Sequence, residues 1–232
     1  MTISQSNLAH QMTIAGVNFY TSLSDSQKDI TFFDYLDGER LFWYYPPLNR
    51  HGLPLRDMDE TQTHLAFELL SKGLTKKSYK LARQIINLES ILGPIEKAEG
   101  KITFKRDPEL YYFTIFGIPS QKEPWGWRVE GHHISIHFSV WGNEIISMTP
   151  FFFGSNPAEV KSGPESGLRV LKEREDIAFE LINALDSSQK STAIIYPEAP
   201  YDILTYNSSK VSLPKEEGLK ASKMNKTQKV QK

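Results

Sequence analysis

One stretch of the sequence, residues 128–139, concentrates the side chains best suited to proton transfer and metal binding. It reads RVEGHHISIHFS and holds Glu130 together with three histidines, His132, His133 and His137. A carboxylate beside an imidazole can orient the ring, tune it for acid/base chemistry or hold it against a metal ion. The order Glu-Gly-His-His in a β-rich context does not match the helical zinc-protease motif.

Strict alternation predicts that this stretch is one strand with two unlike faces. Arg128, Glu130 and His132 fall on one face, whereas His133 falls on the other. We therefore predict Glu130 and His132 as a catalytic pair. If Gly131 bulges the strand, then Glu130, His132 and His133 become candidate ligands of a divalent metal. Three alternatives stay open, namely a half-buried strand with satisfied polar groups, an acid/base or ligand-binding site, and a metal site.

Three further residues are predicted to bind substrate. Arg106 lies in KRDPELY (105–111) and Arg128 lies beside Glu130, and arginine is suited to bidentate binding of carboxylate or phosphate. Asn156 lies in the loop FGSNPAEVKSGP (153–164), where backbone amides could bind an anion. The alternative for the segment KRDPELY is a structural turn with a local ion pair.

Composition excludes several classes of function. The 232-residue chain has no cysteine, so disulfides, thiolate catalysis and cysteine-ligated zinc are excluded. Its formal net charge of -1 and pI near 6.6 give no electrostatic basis for nucleic-acid binding. No apolar run is long enough to span a membrane, and the first residues lack the pattern of a secretory signal. These features predict a soluble, cytoplasmic protein with neither nucleic-acid nor membrane partners.

Helical periodicity predicts four amphipathic helices, which flank the segments that hold the candidate site residues. Polar residues that can cap a helix start, and glycines or prolines that can stop one, set most of the expected bounds. The first predicted helix covers residues 5–22 and the fourth covers residues 165–186. The second is capped by Asp57 or Asp59 and ends at Gly73, and the third is capped by Thr75 and ends at Gly93-Pro94.

The middle of the chain changes to the period of strands. Aromatic and β-branched residues predict an antiparallel β meander over about residues 110–154, with a hairpin turn at Gly142-Asn143. Several amphipathic helices packed on such a sheet give an α+β fold. We predict a single α+β domain over residues 1–213 and a Lys-rich tail over residues 214–232.

The segments RDPELY, WGWRVEGHH and GSNPAEVKSGP occur in an order that resembles the domain-of-unknown-function 3500 family. The resemblance covers roughly residues 10–230 and implies no assigned biochemical activity. Family members usually carry Asn at the position of His137, which implies that this histidine has no family-wide role.

The resemblance also implies that the chain is truncated at its C-terminus. Full members continue into another helix, further strands and a late His-x-His pair followed by Val-Trp-Arg-Asp. The 1–213 domain would then match the N-terminal part of the family, and the tail would be a helix cut short. Half of a metal site would be missing, and an uncovered sheet edge would invite self-association.

Two classes of function follow from the sequence. The first is a truncated, inactive member that binds a small-molecule ligand. The alternative is an enzyme, a metal-assisted hydrolase or oxygenase, with Glu130 and His132 as its site on the central strand. The cofactor is unknown, and a divalent metal is one alternative.

Overall fold

The computed structural model describes residues 5–101 and 104–229 of the chain. Contacts within the chain divide it into two compact units, one up to Val170 and one from Leu171 onward. The predicted division into a domain over 1–213 and a tail over 214–232 stays a prediction.

The described residues 5–101 and 104–229 form seven α-helices and seven strands, which confirms the α+β class. All of the strands and four of the helices belong to the first unit. Its elements are α1 (Gln5–Ser22), α2 (Asp25–Thr31), β1 (Phe32–Phe33), β2 (Leu53–Pro54), α3 (Glu60–Gly73), α4 (Lys76–Ala98), β3 (Tyr112–Phe116), β4 (Trp125–Gly131), β5 (Ile134–Trp141), β6 (Glu144–Ser147) and β7 (Phe151–Phe153).

The strands form one mixed sheet in the order β1-β3-β4-β5-β6. β2 also pairs with β3, and β7 also pairs with β5. Only the β1–β3 pair is parallel among these described strands, so the predicted antiparallel meander over about residues 110–154 is confirmed, although it holds more strands than the three predicted. Gly142 makes the predicted turn from β5 to β6 with a φ of 59°, in the left-handed region that glycine adopts at low cost.

One face of the central hairpin is apolar and belongs to the main hydrophobic core. The register places Trp127 opposite Phe138 and Val129 opposite Ile136. The first pair stacks with ring centroids 4.8 Å apart and an interplanar angle of 15°. These side chains join buried residues of α1, α3 and α4 in a single cluster, which fixes this face of β4 and β5 against the helices.

The predicted helix caps are confirmed for α3 and α4. Asp59, not Asp57, caps α3, because its side chain accepts from the backbone N–H of Gln62 while that glutamine side chain accepts from the backbone of Asp59. Thr75 caps α4 by accepting from the backbone N–H of Ser78 at 3.1 Å.

The prediction that Gly93-Pro94 ends the following helix is wrong. α4 continues through Pro94 to Ala98. The additional turn contains Glu96, whose two carboxylate oxygens accept from Arg106 Nε at 2.7 Å and Nη2 at 2.8 Å. Gly93 leaves room for this arginine, since a Cβ added there would lie 3.2 Å from the Cβ of Arg106.

The prediction of one strand over residues 128–139 is also wrong. β4 ends at Gly131, and His132 and His133 form the turn that leads into β5. His133 has a φ of 61°, a conformation that few residues other than glycine adopt. The turn is held because His133 N–H donates to the Tyr45 carbonyl and Gly154 N–H donates to the His133 carbonyl, both at 2.8 Å.

The predicted helix over 165–186 begins later than expected. Gly163 and Gly167 both have positive φ values, and the Leu168 carbonyl accepts from the Val160 N–H in this turn. The helical conformation starts only at Lys172.

The second unit holds α5 (Lys172–Ala184), α6 (Ser187–Ala193) and α7 (Lys226–Lys229). Gln228 is buried and donates to the Ala184 carbonyl at 2.7 Å, so α7 is tied to the end of α5. The predicted tail contains α7 and a single 3-10 turn at Ala221–Lys223 within its described part, which ends at Lys229. Among the described residues, every helix is too short or too polar to cross a membrane.

Replacement of Gly131 by alanine is expected to destabilise the fold. A Cβ at this position would overlap the ring of Tyr111, which is fully buried and whose hydroxyl donates to the His132 carbonyl at 2.8 Å. Such overpacking is expected to lower the free energy of unfolding by about 1–3 kcal/mol. Urea denaturation of the wild type and the variant measures this difference.

The matched control is Gly38→Ala, because a Cβ at Gly38 has no neighbour within 4 Å. The control is expected to change the unfolding free energy by less than about 0.5 kcal/mol. Equal stabilities for the two variants would contradict the packing of Tyr111 against Gly131.

Candidate functional site

The second face of the β4–β5 hairpin is polar although it is buried. The register places Arg128 opposite His137 and Glu130 opposite Ser135. All four side chains are almost completely excluded from solvent, and we call this group the polar face. Buried charged groups are rare in protein interiors unless they are paired, so each partner matters.

The segment between β1 and β2 covers the polar face and pairs with Arg128. The Arg128 guanidinium donates to the carbonyls of Glu39 and Phe42 at 3.1 and 3.0 Å. It also donates to the Glu39 carboxylate at 2.7 Å. Arg128 is therefore bound in place and fixes the covering segment on the sheet.

Glu130 has two carboxylate oxygens with unlike surroundings. Oε1 accepts from the Tyr44 backbone N–H at 2.9 Å and from the Ser135 hydroxyl at 2.6 Å, and it lies 3.3 Å from His137 Nε2. Oε2 is buried without a hydrogen bond among the described residues, 3.5 Å from Arg128 Nε and 3.7 Å from Arg50 Nε.

Arg50 shapes the covering segment from within. Its side chain is 3% exposed, and its terminal nitrogens donate to backbone carbonyls of Leu48 at 2.6 Å, Tyr44 at 3.2 Å, Gly131 at 3.3 Å and also Pro46. Its Nε–H is buried and has no hydrogen-bond acceptor within the part of the chain that the structure describes. An unsatisfied donor thus faces the unsatisfied Oε2 of Glu130 at 3.7 Å.

The polar face keeps Glu130 ionised and His137 neutral. Burial acts to raise the pKa of Glu130, but the His137 hydrogen bond, the Arg128 charge and the Ser135 hydroxyl outweigh it and lower that pKa. Burial lowers the pKa of His137, and the Arg128 charge adds to this effect against the opposing hydrogen bond and charge of Glu130. The site therefore presents a fixed negative charge beside an uncharged imidazole near neutral pH.

A cavity of about 580 Å³ has Glu130 among its lining residues. We call it the Glu130 cavity, and it is lined by Glu39, Phe42, Tyr44, Asn49, Arg50 and Glu130, among others. Its volume lies within the range of about 300–1,000 Å³ that is usual for small-molecule sites.

His132 belongs to a different group of residues. Its Nδ1 bonds to the Glu89 carboxylate of α4, and both side chains are buried. Arg106 Nη1 lies 3.3 Å from Nδ1 and 3.5 Å from Nε2 of the same ring. Burial opposes the charge of Arg106, but its hydrogen bonds and ion pair with Glu96 outweigh this and raise the arginine pKa.

A second cavity of about 320 Å³ is lined by Glu89, His132, Tyr111, Phe104 and Lys105, among others, and we call it the His132 cavity. The two cavities share Leu48, Asn49 and Arg50 as lining residues. This short segment of the covering chain is therefore the wall between them.

The structure does not bring the predicted catalytic pair together. Glu130 lines one cavity and His132 lines the other, because the turn after Gly131 removes His132 from the strand face. Arg128 does lie with Glu130, with Nε 3.5 Å from Oε2, and Arg106 does lie with His132, with Nη1 3.3 Å from Nδ1. The catalytic and substrate-binding roles of these four residues stay predictions.

The remaining predicted site residues line neither cavity, although the ring centroid of His133 lies 4.2 Å from that of His132. Asn156 and His133 are half-buried, and neither lines either cavity. His133 instead packs against Gly154, where an added Cβ would lie 3.2 Å from the His133 Cβ. Within residues 5–101 and 104–229, no group of three or more His, Asp or Glu side chains is arranged to hold a metal ion. The metal-ligand roles of Glu130, His132 and His133 stay predictions.

The sequence analysis did not single out Arg50 or Glu89. It also gave His137 no family-wide role, although this residue belongs to the polar face. Glu89 had a visible signal, because it lies among the buried Ala82, Ile85 and Ile86 on the apolar side of α4. A lone carboxylate on such a face needs a partner. Arg50 had no comparable signal, since its partners are backbone carbonyls.

Comparison with known proteins identifies the family. The model of the family described as "Protein of unknown function (DUF3500)" matches residues 5–231 of the 232. The chain belongs to the DUF3500 family. This coverage gives no support to the predicted C-terminal truncation.

Neither the curated proteins nor the solved structures contain a match to this DUF3500 chain. The candidate site is therefore interpreted from its own geometry.

Acidification is expected to lower the stability of the fold in two steps. The folded pKa of His137 lies below its ordinary value of 6.5. Below pH 6.5 the unfolded chain therefore binds more protons than the folded chain, and the free energy of unfolding falls until the folded pKa is passed. The folded pKa of Glu130 lies below 4.5, so protonation of its carboxylate causes a second loss below that pH.

Urea denaturation of the wild type and of His137→Asn across this pH range measures both steps. The variant is expected to lack the first step and to show a smaller second step, because the hydrogen bond from His137 helps to lower the pKa of Glu130. An identical first step in both proteins would show that other histidines cause it.

Proposed function

We propose that this DUF3500 chain is a small-molecule-binding protein whose ligand occupies the Glu130 cavity. The observation that carries the proposal is the cavity itself, about 580 Å³ in volume and lined by Glu130 and Arg50 together with the aromatic Phe42 and Tyr44. Glu130 Oε2 and Arg50 Nε are buried without a hydrogen bond among the described residues, which costs about 1–3 kcal/mol per atom and is unusual for a purely structural network.

The surroundings of these atoms support a binding site over a purely structural network. The Nη1 and Nη2 groups of Arg128 already donate to four acceptor atoms on three residues, Glu39, Phe42 and Thr114, and only its Nε lies near the second oxygen of Glu130, at 3.5 Å. Glu130 itself lines an accessible cavity with apolar and aromatic walls, the usual composition of ligand sites.

A thermal-shift survey with small amines, carboxylates and polyols tests this proposal. At least one class is expected to raise the melting temperature of the wild type, because ligands that bind only the folded state stabilise it. Glu130→Gln is expected to weaken that ligand about tenfold or more, since hydrogen bonds to charged groups contribute about 1.5–3 kcal/mol.

The matched control is Glu89→Gln, an equally buried carboxylate that lines only the His132 cavity. Circular dichroism establishes that both variants keep the fold. The proposal fails if no class stabilises the wild type, or if the two variants lose the ligand equally.

An enzyme is the second candidate function, and the His132–Glu89 pair is the observation that favours it. Glu89 fixes a proton on Nδ1, which places the lone pair on Nε2, where Arg106 Nη1 lies 3.5 Å away and a substrate would have to take its place for acid/base catalysis. The pair is buried and lines a cavity of about 320 Å³. A metal-assisted hydrolase or oxygenase is the version of this alternative that the sequence suggested.

Hydrolysis of p-nitrophenyl acetate gives a direct test of His132. The enzyme hypothesis predicts saturable hydrolysis by the wild type and a loss of about 100-fold in His132→Gln, the usual scale for removal of a general base. His137→Asn, which changes a buried histidine that lines neither cavity, serves as the control and is expected to keep the activity.

Equal rates for the wild type and His132→Gln would exclude this residue as the base. Elemental analysis of the same preparations addresses the metal-assisted version. That version requires a stoichiometric divalent ion in the wild type that is reduced in His132→Gln.

The other expectations from the sequence stay predictions. They are the inactivity of the chain, its cytoplasmic location, the lack of nucleic-acid and membrane partners, and self-association through a sheet edge.

A further inference from the structure

Two segments of the second unit repeat segments of the first unit. LSDSQK (23–28) leads into α2, and LDSSQK (185–190) leads into α6. GLPLRDMDETQ (52–62) leads into α3, and GLKASKMNKTQ (218–228) leads into α7. The second pair of segments shares its glycine, leucine, methionine, threonine and glutamine at matching positions. Such self-similarity is the mark of a repeated structural unit.

The hydrogen bonds around a buried pair of glutamines are the same in both units. Gln62 Nε2 donates to the last carbonyl of α1 at 2.9 Å and to Gln27 Oε1 of α2 at 2.8 Å. Gln228 Nε2 donates to the last carbonyl of α5 at 2.7 Å and to Gln189 Oε1 of α6 at 2.8 Å. Gln62 and Gln228 are both 6% exposed, so each network is an internal part of its unit.

The backbone also follows the same path in the two units. Gly52 and Gly218 have φ values of 110° and 102°, a region that glycine adopts without strain. A single 3-10 turn begins three residues later in each unit, at Leu55–Asp57 and at Ala221–Lys223. The second unit is therefore a structural repeat of the part of the first unit that runs from α1 to the start of α3.

In the first unit this repeated part carries one edge of β3. β1 pairs with the end of β3 through Phe32 and Ile115, and β2 pairs with its start through Leu53 and Phe113. β4 pairs with β3 along its whole length. Because a strand has only two edges, β1 and β2 lie end to end along the edge opposite β4.

The matching segments of the second unit belong to no strand among the described residues. Ile194 follows α6 in an extended conformation, as Phe32 follows α2. Ile194 and Ile195 are 51% and 41% exposed, whereas Phe32 packs against the core. Leu219 is half-buried, although the matching Leu53 is fully buried. We call residues 194–195 and 219–220 the second-unit edge, an apolar edge at the place where the first unit holds β3.

The charge beside the second-unit edge differs from that of the first unit. Lys220 and Lys223 lie at the 3-10 turn, and Lys223 stands where the first unit has Asp57. In the first unit Arg56 of the 3-10 turn pairs with Asp107, which lies just before β3. A strand that follows acidic residues therefore complements the lysines of the second unit.

We infer that the second-unit edge binds an apolar β-strand of another polypeptide, as β1 and β2 bind β3. The bound strand is rich in aromatic and β-branched residues and follows acidic residues, as in DPELYYFTIFGI (107–118). Main-chain hydrogen bonds supply affinity in such strand addition, and alternate side chains supply specificity. In a second copy of this chain, β3 is already covered on this edge by its own β1 and β2, so the partner is a different polypeptide. The inference is independent of the Glu130 cavity.

Fluorescence anisotropy of a labelled peptide tests the inference on the full chain. The probe is a synthetic peptide of residues 107–118, and saturable binding to the wild type is expected. A control peptide with Phe113→Pro and Ile115→Pro is expected not to bind, because proline lacks the N–H group that strand pairing requires.

Ile195→Asp is expected to weaken the probe about tenfold or more, since it places a charge where the added strand buries an apolar side chain. Its matched control is Ile203→Asp, because Ile203 is also 41% exposed, belongs to the same unit and lies outside the second-unit edge. The control is expected to bind as the wild type does. Both substitutions are at surface positions, so the variants test the contact without emptying a core.

Each contrary outcome overturns a stated part of the inference. Absence of probe binding by the wild type overturns the binding of a strand. Equal binding of the proline peptide overturns strand pairing as its mode, and equal weakening by Ile195→Asp and Ile203→Asp overturns the location. Sedimentation that shows self-association of the wild type but not of Ile195→Asp overturns the choice of a different polypeptide, because a second copy then occupies the edge.

Discussion

The ionised carboxylate of Glu130 is the interaction on which the arrangement of the site depends. It is 1% exposed, and only its contacts with backbone, hydroxyl, imidazole and guanidinium groups make a charge tolerable there. Through Tyr44 it also anchors the covering segment, which in turn supplies Arg50. Removal of this single charge would leave two buried arginines without their shared partner. Breaking a buried ion pair in this way is strongly destabilising, because the remaining buried charge is uncompensated.

The hairpin sorts its side chains by register, and this sorting separates the two candidate chemistries. Arg128 and Glu130 meet Ser135 and His137 across the strands, so the polar face is assembled from both halves of one sequence stretch. His132 lies in the turn and meets α4 instead. Ligand binding and acid/base catalysis are thus proposed for neighbouring but distinct cavities.

Much of the fold could be predicted from local patterns, whereas the site could not. Asp59 and Thr75 cap their helices as expected, because a cap depends only on residues close in sequence. The stretch around His132 was misjudged because alternation continues through a two-residue turn, although an unbroken strand of that length is unusual. Arg50 was invisible, since its partners are distant carbonyls that only the tertiary structure brings near.

The shared wall of Leu48, Asn49 and Arg50 has a consequence for how the two cavities can change. Because these three residues line both spaces, a substitution at any one of them alters the shape or polarity of both at once. The two cavities can therefore be altered separately only through residues outside the wall, such as Phe42 on one side and Glu89 on the other.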